Sequence, residues 1–330
     1  MRPNPPMVDP QPSRRLAPGR PFPTAQTAAI VVAAISLATF LVGCGSALPV
    51  PSLAPTGSPL ESPSIDGLLV ATGGILQVTQ PDGGLTAFDG PAVNVVAVTA
   101  GNRHVVALDV DHQALLSADP LARQRTWRPV AIPAAATEAE PLLALSPLGL
   151  DLAVTAGDPQ GRSFDLILAD AASGAARSIT VDRGLNGPPV WVGPAMIAVN
   201  TIGRDQRSGF SVIDLATNVV TDGPSSGFAL AATGDGELIA FDEGRSGDVL
   251  VGDRAEWLAG EFDQMARIAS APGTGADQVA ISADGSRLAI VRRTDARAAI
   301  EILARIHGPW HSIRTVAIDG DHALSIAWLR

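Results

Sequence analysis

Few residues of this 330-residue chain could do chemistry, and they are widely spaced. Its histidines are His104, His112, His307, His311 and His322. His307 and His311 stand four apart, which on a helix would put both imidazoles on one face for a zinc ion. The Gly308-Pro309 between them forbids that helix, so a solvated loop is expected. Asp109-Val-Asp111-His112 and Asp319-Gly-Asp321-His322 have the composition of ligand clusters. Strand alternation would put the carboxylates of Asp109 and Asp111 on one side, as a hard cation wants. Asp at a strand end also commonly begins a turn, and that reading stands beside the first. Gly223-Pro-Ser225-Ser-Gly227 matches G-x-S-x-G, but the serine of that motif is activated only on a strand-to-helix elbow. No helical pattern follows it here, so it reads as a turn. There is no phosphate-cradling glycine loop and no H-E-x-x-H. The sequence therefore assigns no catalytic, cofactor-binding or metal-ligating residue.

The remaining candidate is the single cysteine, Cys44. One cysteine can neither form an internal disulfide nor supply a thiolate cluster. Upstream of it, Arg2, Arg14, Arg15 and Arg20 face one counter-charge, Asp9, and an uncharged apolar run has its heart at 28–42. That run is shorter than the ~20 residues that span a bilayer. A positive flank, a short apolar region and small residues at its end make a secretory signal. Its end, Leu41-Val42-Gly43-Cys44, resembles the bacterial lipobox. The resemblance implies that the thiol is alkylated by diacylglycerol and that cleavage leaves Cys44 as the new N-terminus. Ser13-Arg14-Arg15 invites a twin-arginine export reading, but the apolar residues that usually follow are absent in Leu16-Ala17-Pro18, and ordinary secretion is expected.

All 23 basic residues are Arg, the formal net charge is −10, and Tyr is absent. Removing residues 1–43 takes away four Arg and one Asp and leaves −13. Scattered arginines on an acidic chain do not make a nucleic-acid footprint. Residues 44–65 carry prolines at 49, 51, 55, 59 and 63 with serines between them. Such a stretch cannot bury enough apolar surface to order itself, and about twenty residues in extended form reach roughly 60 Å. The expected organisation is a signal peptide over 1–43, a tether over 44–65 and one folded domain over 66–330.

That domain is written in short apolar runs broken by Gly, Asp, Asn and Pro, which is all-β punctuation. One phrase recurs, with second-position residues Thr99, Ser146, Trp191, Thr233 and Ser282 spaced by 47, 45, 42 and 49. A further 46 reaches Trp328, where the chain stops before the strand that should follow. That strand stands at the other end, in Asp66-Gly-Leu-Leu-Val-Ala71. Periods of 40–50 residues mean arrays or propellers, and a unit split between the termini means a closed ring. The fold class expected is an all-β, six-bladed β-propeller closed by pairing of N- and C-terminal strands. Trp191 and Trp328 fall in inner-strand phrases and are expected to pack between blades; Trp127, Trp257 and Trp310 fall in or near outer strands.

Ser282-Ala-Asp284-Gly285 and Thr233-Gly-Asp235-Gly236, with Ser146-Pro147-Leu-Gly149 as a partial copy, resemble the WD-like repeats of TolB-type propellers. Lipobox, tether and propeller together are similar to the propeller part of LpqB-type actinobacterial lipoproteins. The resemblance implies a lipid-anchored, extracytoplasmic protein on the cell membrane, held by diacylglycerol on Cys44. Its propeller would be a non-catalytic platform, a monomer whose mouth takes a protein partner or a small ligand, with no cofactor. The alternative is a lactonase-like or glycan-acting hydrolase with a metal in the central channel, which needs carboxylates and histidines from several blades to converge there.

Overall fold

The computed structural model describes residues 67–330, apart from 81, 83, 90–93, 102–103, 110, 112–113, 118–125, 131–141, 158–160, 172, 204–206, 224–229, 245–246, 272–273, 295–296, 319–323 and 330. Leu41–Cys44, the signal-peptide and tether segments, His112, Ser225 and Asp319–His322 lie outside the described residues.

Apolar runs between turn residues form strands throughout. They assemble into four-stranded antiparallel sheets, and five of these take four consecutive strands each. The first comprises β4 (Val95–Ala100), β5 (Val105–Asp109), β6 (Ala114–Ser117) and β7 (Trp127–Pro129). The second is β8 (Leu142–Leu145), β9 (Asp151–Gly157), β10 (Phe164–Asp170) and β11 (Ala176–Val181). The third is β12 (Gly184–Gly193), β13 (Met196–Ile202), β14 (Ser208–Asp214) and β15 (Val219–Asp222). The fourth is β16 (Leu230–Ala232), β17 (Leu238–Asp242), β18 (Val249–Asp253) and β19 (Ala266–Ile268). The fifth is β20 (Gly275–Ile281), β21 (Arg287–Thr294), β22 (Arg297–Arg305) and β23 (Trp310–Ile318).

A further sheet joins the two ends of the chain: β24 (Leu324–Trp328) pairs antiparallel with β1 (Leu68–Thr72), followed by β2 (Ile75–Thr79) and β3 (Leu85–Ala87). Trp328 stands opposite Leu68 and Leu324 opposite Thr72 in that register. The first strands of the sheets neighbour one another in a closed cycle, β24–β4–β8–β12–β16–β20 and back to β24. Four-stranded sheets whose first strands surround one axis have buried edges on the inside and buried faces between sheets.

Burial on both faces explains the continuous apolar runs. In Leu68-Leu69-Val70-Ala71 alternate residues serve different neighbours. Leu68 and Val70 pack with Ala289, Val291 and Ile300, whereas Leu69 and Ala71 pack with Val105 and Ala107. Full burial of side chains of this size contributes about 1.5–3 kcal/mol each, so the core is spread around the ring in layers between sheets.

The connection from β18 to β19 holds a short helix, α1 (Arg254–Ala259). Asp253 precedes it, its backbone N–H donating to Glu256 Oε2 at 3.0 Å, and Gly260 ends it in the left-handed conformation (φ 73°). Trp257, expected in or near an outer strand, sits on this helix, fully buried with its ring 5.8 Å from that of Phe210. Trp127 and Trp310 lie on outermost strands as expected. Among the described residues no helix is long and apolar enough to cross a membrane.

Candidate functional site: the central channel

The cycle of first strands encloses a channel of about 680 Å³. Apolar residues make most of its wall, among them Ala97, Leu142, Ala231 and Ala327. The polar contributions come from Thr99, Asn186, Asn200, Gln278 and Ser325 and from the indoles of Trp191 and Trp328. Among the described lining residues Asp277 is the only carboxylate, and it is ion-paired with Arg293 Nε from the next strand of its own sheet.

The first strands turn their inner edges to the channel, and an edge strand must satisfy its backbone groups. Side chains do this across the sheet boundaries. Trp191 Nε1 on β12 donates to Ala144 O on β8 at 3.2 Å, and Trp328 Nε1 on β24 donates to Ala280 O on β20 at 3.0 Å. Leu145 N donates to Thr99 Oγ1 at 3.0 Å, Val98 N to Ser325 Oγ at 3.1 Å, and Ile326 N to Gln278 Oε1 at 3.1 Å. The two indole bonds join equivalent places, since each acceptor lies two residues before a second-position serine, Ser146 or Ser282. Both tryptophans are buried, so their role is to hold sheets together at the wall.

Three first strands have register irregularities, between Val95 and Ala97, Leu185 and Pro189, and Ala276 and Gln278. These three fall toward the end of the strand where the chain enters from the preceding sheet; β12 has a second irregularity at its other end, between Trp191 and Gly193. Bulges re-aim side chains. The one on β12 carries Asn186 and Gly187, and the one on β20 brings Asp277 to the lining.

At the other end of the first strands the turns repeat one design. Thr233 Oγ1 donates to Asp235 Oδ1 at 2.5 Å and accepts from Leu238 N at 3.1 Å, while Asp235 Oδ1 also accepts from Glu237 N. Ser282, Asp284, Ser286 and Arg287 repeat these bonds atom for atom. Ser146 Oγ accepts from Leu150 N and Asp151 N, with no aspartate in the turn. Gly236, Gly285 and Gly149 take φ of 74°, 67° and 72°, which L side chains resist. The hydrogen bonds to Thr233 and Ser282 hold the carboxyls of Asp235 and Asp284 below their usual range.

The other sequence candidates fall apart in space. Asp109 is buried at the end of β5 while Asp111 is exposed in the following turn, so strand alternation does not bring the two carboxylates to one side. His307 takes φ 52° in the β22–β23 turn and His311 is exposed on β23, on no common helix. His104 Nδ1 lies 2.7 Å from the carbonyl of Gly149; because a carbonyl only accepts, Nδ1 carries the proton. It is a link between two sheets. Gly223 follows the last residue of β15, with no described helix behind it. Among the described residues no cluster of three or more His, Cys, Asp or Glu is placed to hold a metal ion. The links through Ser325 and Gln278 were not anticipated, although Ser325 stands in the same terminal phrase as Trp328.

Radial four-stranded sheets, a closed cycle of first strands and a channel on the axis decide the architecture. The chain folds as a β-propeller. No known protein family and no curated protein matches its sequence. Solved structures do match the propeller. TolB from Acinetobacter baumannii is 12% identical with a TM-score of 0.59, the match covering 79% of this chain and 66% of that one. A chain of the nidogen/laminin complex is 12% identical with a TM-score of 0.57, covering 80% and 98%. The β-propeller domain of Cps50 (Swd1) from Myceliophteria thermophila is 14% identical with a TM-score of 0.50, covering 78% and 85%. The chain thus spans just under two thirds of the TolB chain, and at these identities the likeness is one of fold.

Proposed function

We propose that this protein is a membrane-anchored, extracytoplasmic lipoprotein whose propeller binds a protein or small ligand at the mouth of its channel and does no chemistry on it. The observation that carries the binding half is the channel wall. A space of about 680 Å³ bounded mostly by apolar side chains, with the amides of Asn186, Asn200 and Gln278 in its lining, lies in the size range of ligand sites. The one described carboxylate is neutralised by Arg293, which suits recognition better than acid–base work. A rigid ring presenting loops around a mouth is a common platform for recognition. The anchoring half rests on Leu41-Val42-Gly43-Cys44 and the Pro/Ser-rich 44–65.

Two measurements test the halves separately. Mass spectrometry of the membrane-extracted protein should find diacylglycerol on an N-terminal Cys44, and Cys44→Ala should release the protein from the membrane fraction. Crosslinking in the intact envelope should return one reproducible partner. Elemental analysis showing a stoichiometric metal in the purified protein would favour the hydrolase alternative and count against the binding reading.

A further inference from the structure

We propose that the propeller face carrying the short turns between first and second strands is the face turned to the lipid bilayer, leaving the bulged mouth of the channel pointing away. The proposal rests on the lipid-anchor reading of Cys44. Antiparallel connectivity sorts the connections onto two faces. One face carries the turns from first to second strand and from third to outermost strand; the other carries the remaining connections.

The chain enters the ring on the first of these faces. Leu68 pairs with Trp328, and Leu329 N donates to Gly67 O at 3.0 Å, so Gly67 sits where the terminal sheet turns from its first strand to its second. Whatever tethers the domain through residues 44–65 pulls on this face.

Exposed apolar side chains gather on the same face. Among the described residues eight large hydrophobic side chains are exposed, and five of them, Leu148, Leu150, Val219, Leu258 and Ile306, lie in these turns or at their strand ends. Leu148 is 62% exposed and Leu150 44%. Backbone bonds make part of this surface continuous. Leu150 O accepts from Ala171 N, Ala195 O accepts from Leu215 N, and Arg177 of the second sheet reaches Leu215 O in the third at 2.9 Å. Exposed Pro194, Ala195 and Val219 extend the patch from Leu148 and Leu150 across that boundary.

A few exposed leucines bind a bilayer weakly by themselves. A short tether changes this, because it holds the face at an effective concentration on the order of millimolar. The acidic Asp235 and Asp284 share the face, so a zwitterionic surface suits it better than an anionic one.

The test uses the mature protein, acylated on its N-terminal Cys44. Acylation blocks its only native thiol, so a cysteine introduced at Leu148→Cys or Ile75→Cys takes a fluorophore uniquely. Ile75 is 54% exposed and begins β2 on the opposite face, which makes it the control. Both proteins are placed in phosphatidylcholine vesicles containing brominated lipid, and folding is checked by circular dichroism. Quenching several-fold stronger at position 148 than at position 75 is expected. Equal quenching with Cys44 shown by mass spectrometry to be acylated overturns the orientation and leaves the anchor standing. An unmodified Cys44 removes the anchor and the orientation with it. A signal at position 148 that needs no brominated lipid and grows with protein density assigns the face to a second copy and also overturns the proposal.

Discussion

Trp328 Nε1 donates to the carbonyl of Ala280 at 3.0 Å, and so the last strand of the chain is tied to its preceding neighbour by the device that Trp191 uses on Ala144. The two indoles do equal work within the wall but unequal work in the ring. Trp191 joins sheets of consecutive strands, whereas Trp328 also sits in the register that holds the two ends of the chain together.

Trp191→Phe and Trp328→Phe should each leave a buried carbonyl without its donor, at about 1–3 kcal/mol. Truncation to Ala should cost about 3–5 kcal/mol. Trp328 variants should in addition unfold faster, because β24 is the terminal strand. Urea unfolding at equilibrium and by stopped flow checks both statements; equal unfolding rates for the two Phe variants would show that closure does not limit unfolding.

Closure can be probed through the backbone alone. Ile326 N donates to Gln278 across the sheet boundary, so the alternate N–H groups of Ser325 and Ala327 face β1. Ala327→Pro removes one ladder bond where Pro is excluded from a paired strand, and leaving the facing carbonyl without its donor should cost about 1–3 kcal/mol. Hydrogen exchange should show β1 and β24 losing protection together.

How much of this was legible in the sequence follows from what repeats. The phrases around Thr99, Ser146, Trp191, Thr233, Ser282 and Trp328 place first strands correctly because each must meet the same demand, an apolar edge at the axis followed by a tight turn. The split phrase at the termini was readable for the same reason and appears as the β24–β1 pairing. Trp257 falls near outer strands as expected, but the helix that carries it was not legible, because six residues carry too little period to stand out. The separation of Asp109 from Asp111 was lost because alternation ends where the strand ends. The stitches by Ser325 and Gln278 depend on which residue of a neighbouring sheet comes within reach, which local pattern does not encode.

Glycines at left-handed positions separate strain from crowding. Gly161 takes φ 67° with nothing within 4 Å of an added Cβ, so Gly161→Ala should cost only the conformational penalty, about 1–2 kcal/mol. Gly236 takes φ 74°, and an added Cβ would lie 2.4 Å from Val192 O of the neighbouring sheet. Gly236→Ala should therefore cost clearly more and loosen the boundary between the third and fourth sheets. Thermal unfolding of the two variants side by side gives the difference; equal shifts would mean that the sheets part freely there.

The turn aspartates should make stability depend on acid. Hydrogen bonds from Thr233 and Ser282 hold the carboxyls of Asp235 and Asp284 below their ordinary value of 3.8. A depressed value in the folded state means that the unfolded chain takes up protons first. The contribution is complete above the ordinary value and is lost as pH falls through the folded one. Both side chains are largely exposed, so solvent screens much of the effect. Asp235→Asn with Asp284→Asn should flatten the fall in stability below about pH 4 relative to the unaltered protein. Urea midpoints at pH 3, 4 and 6 check the sign.

Binding at the channel mouth predicts that its rim can be altered without harm to the ring. Asn186 lies on the bulge of β12, half-buried and lining the channel, where the ladder is already interrupted between Leu185 and Pro189. Asn186→Arg puts a long cation across the opening at a place that breaks no regular pairing. It should change stability by less than about 1 kcal/mol, as substitutions away from packed cores do. It should also abolish capture of the crosslinked envelope partner, whereas Leu148→Asp on the opposite face should leave that capture intact. The reverse pattern, with capture lost at Leu148 and kept at Asn186, would move the recognition surface from the mouth to the short-turn face.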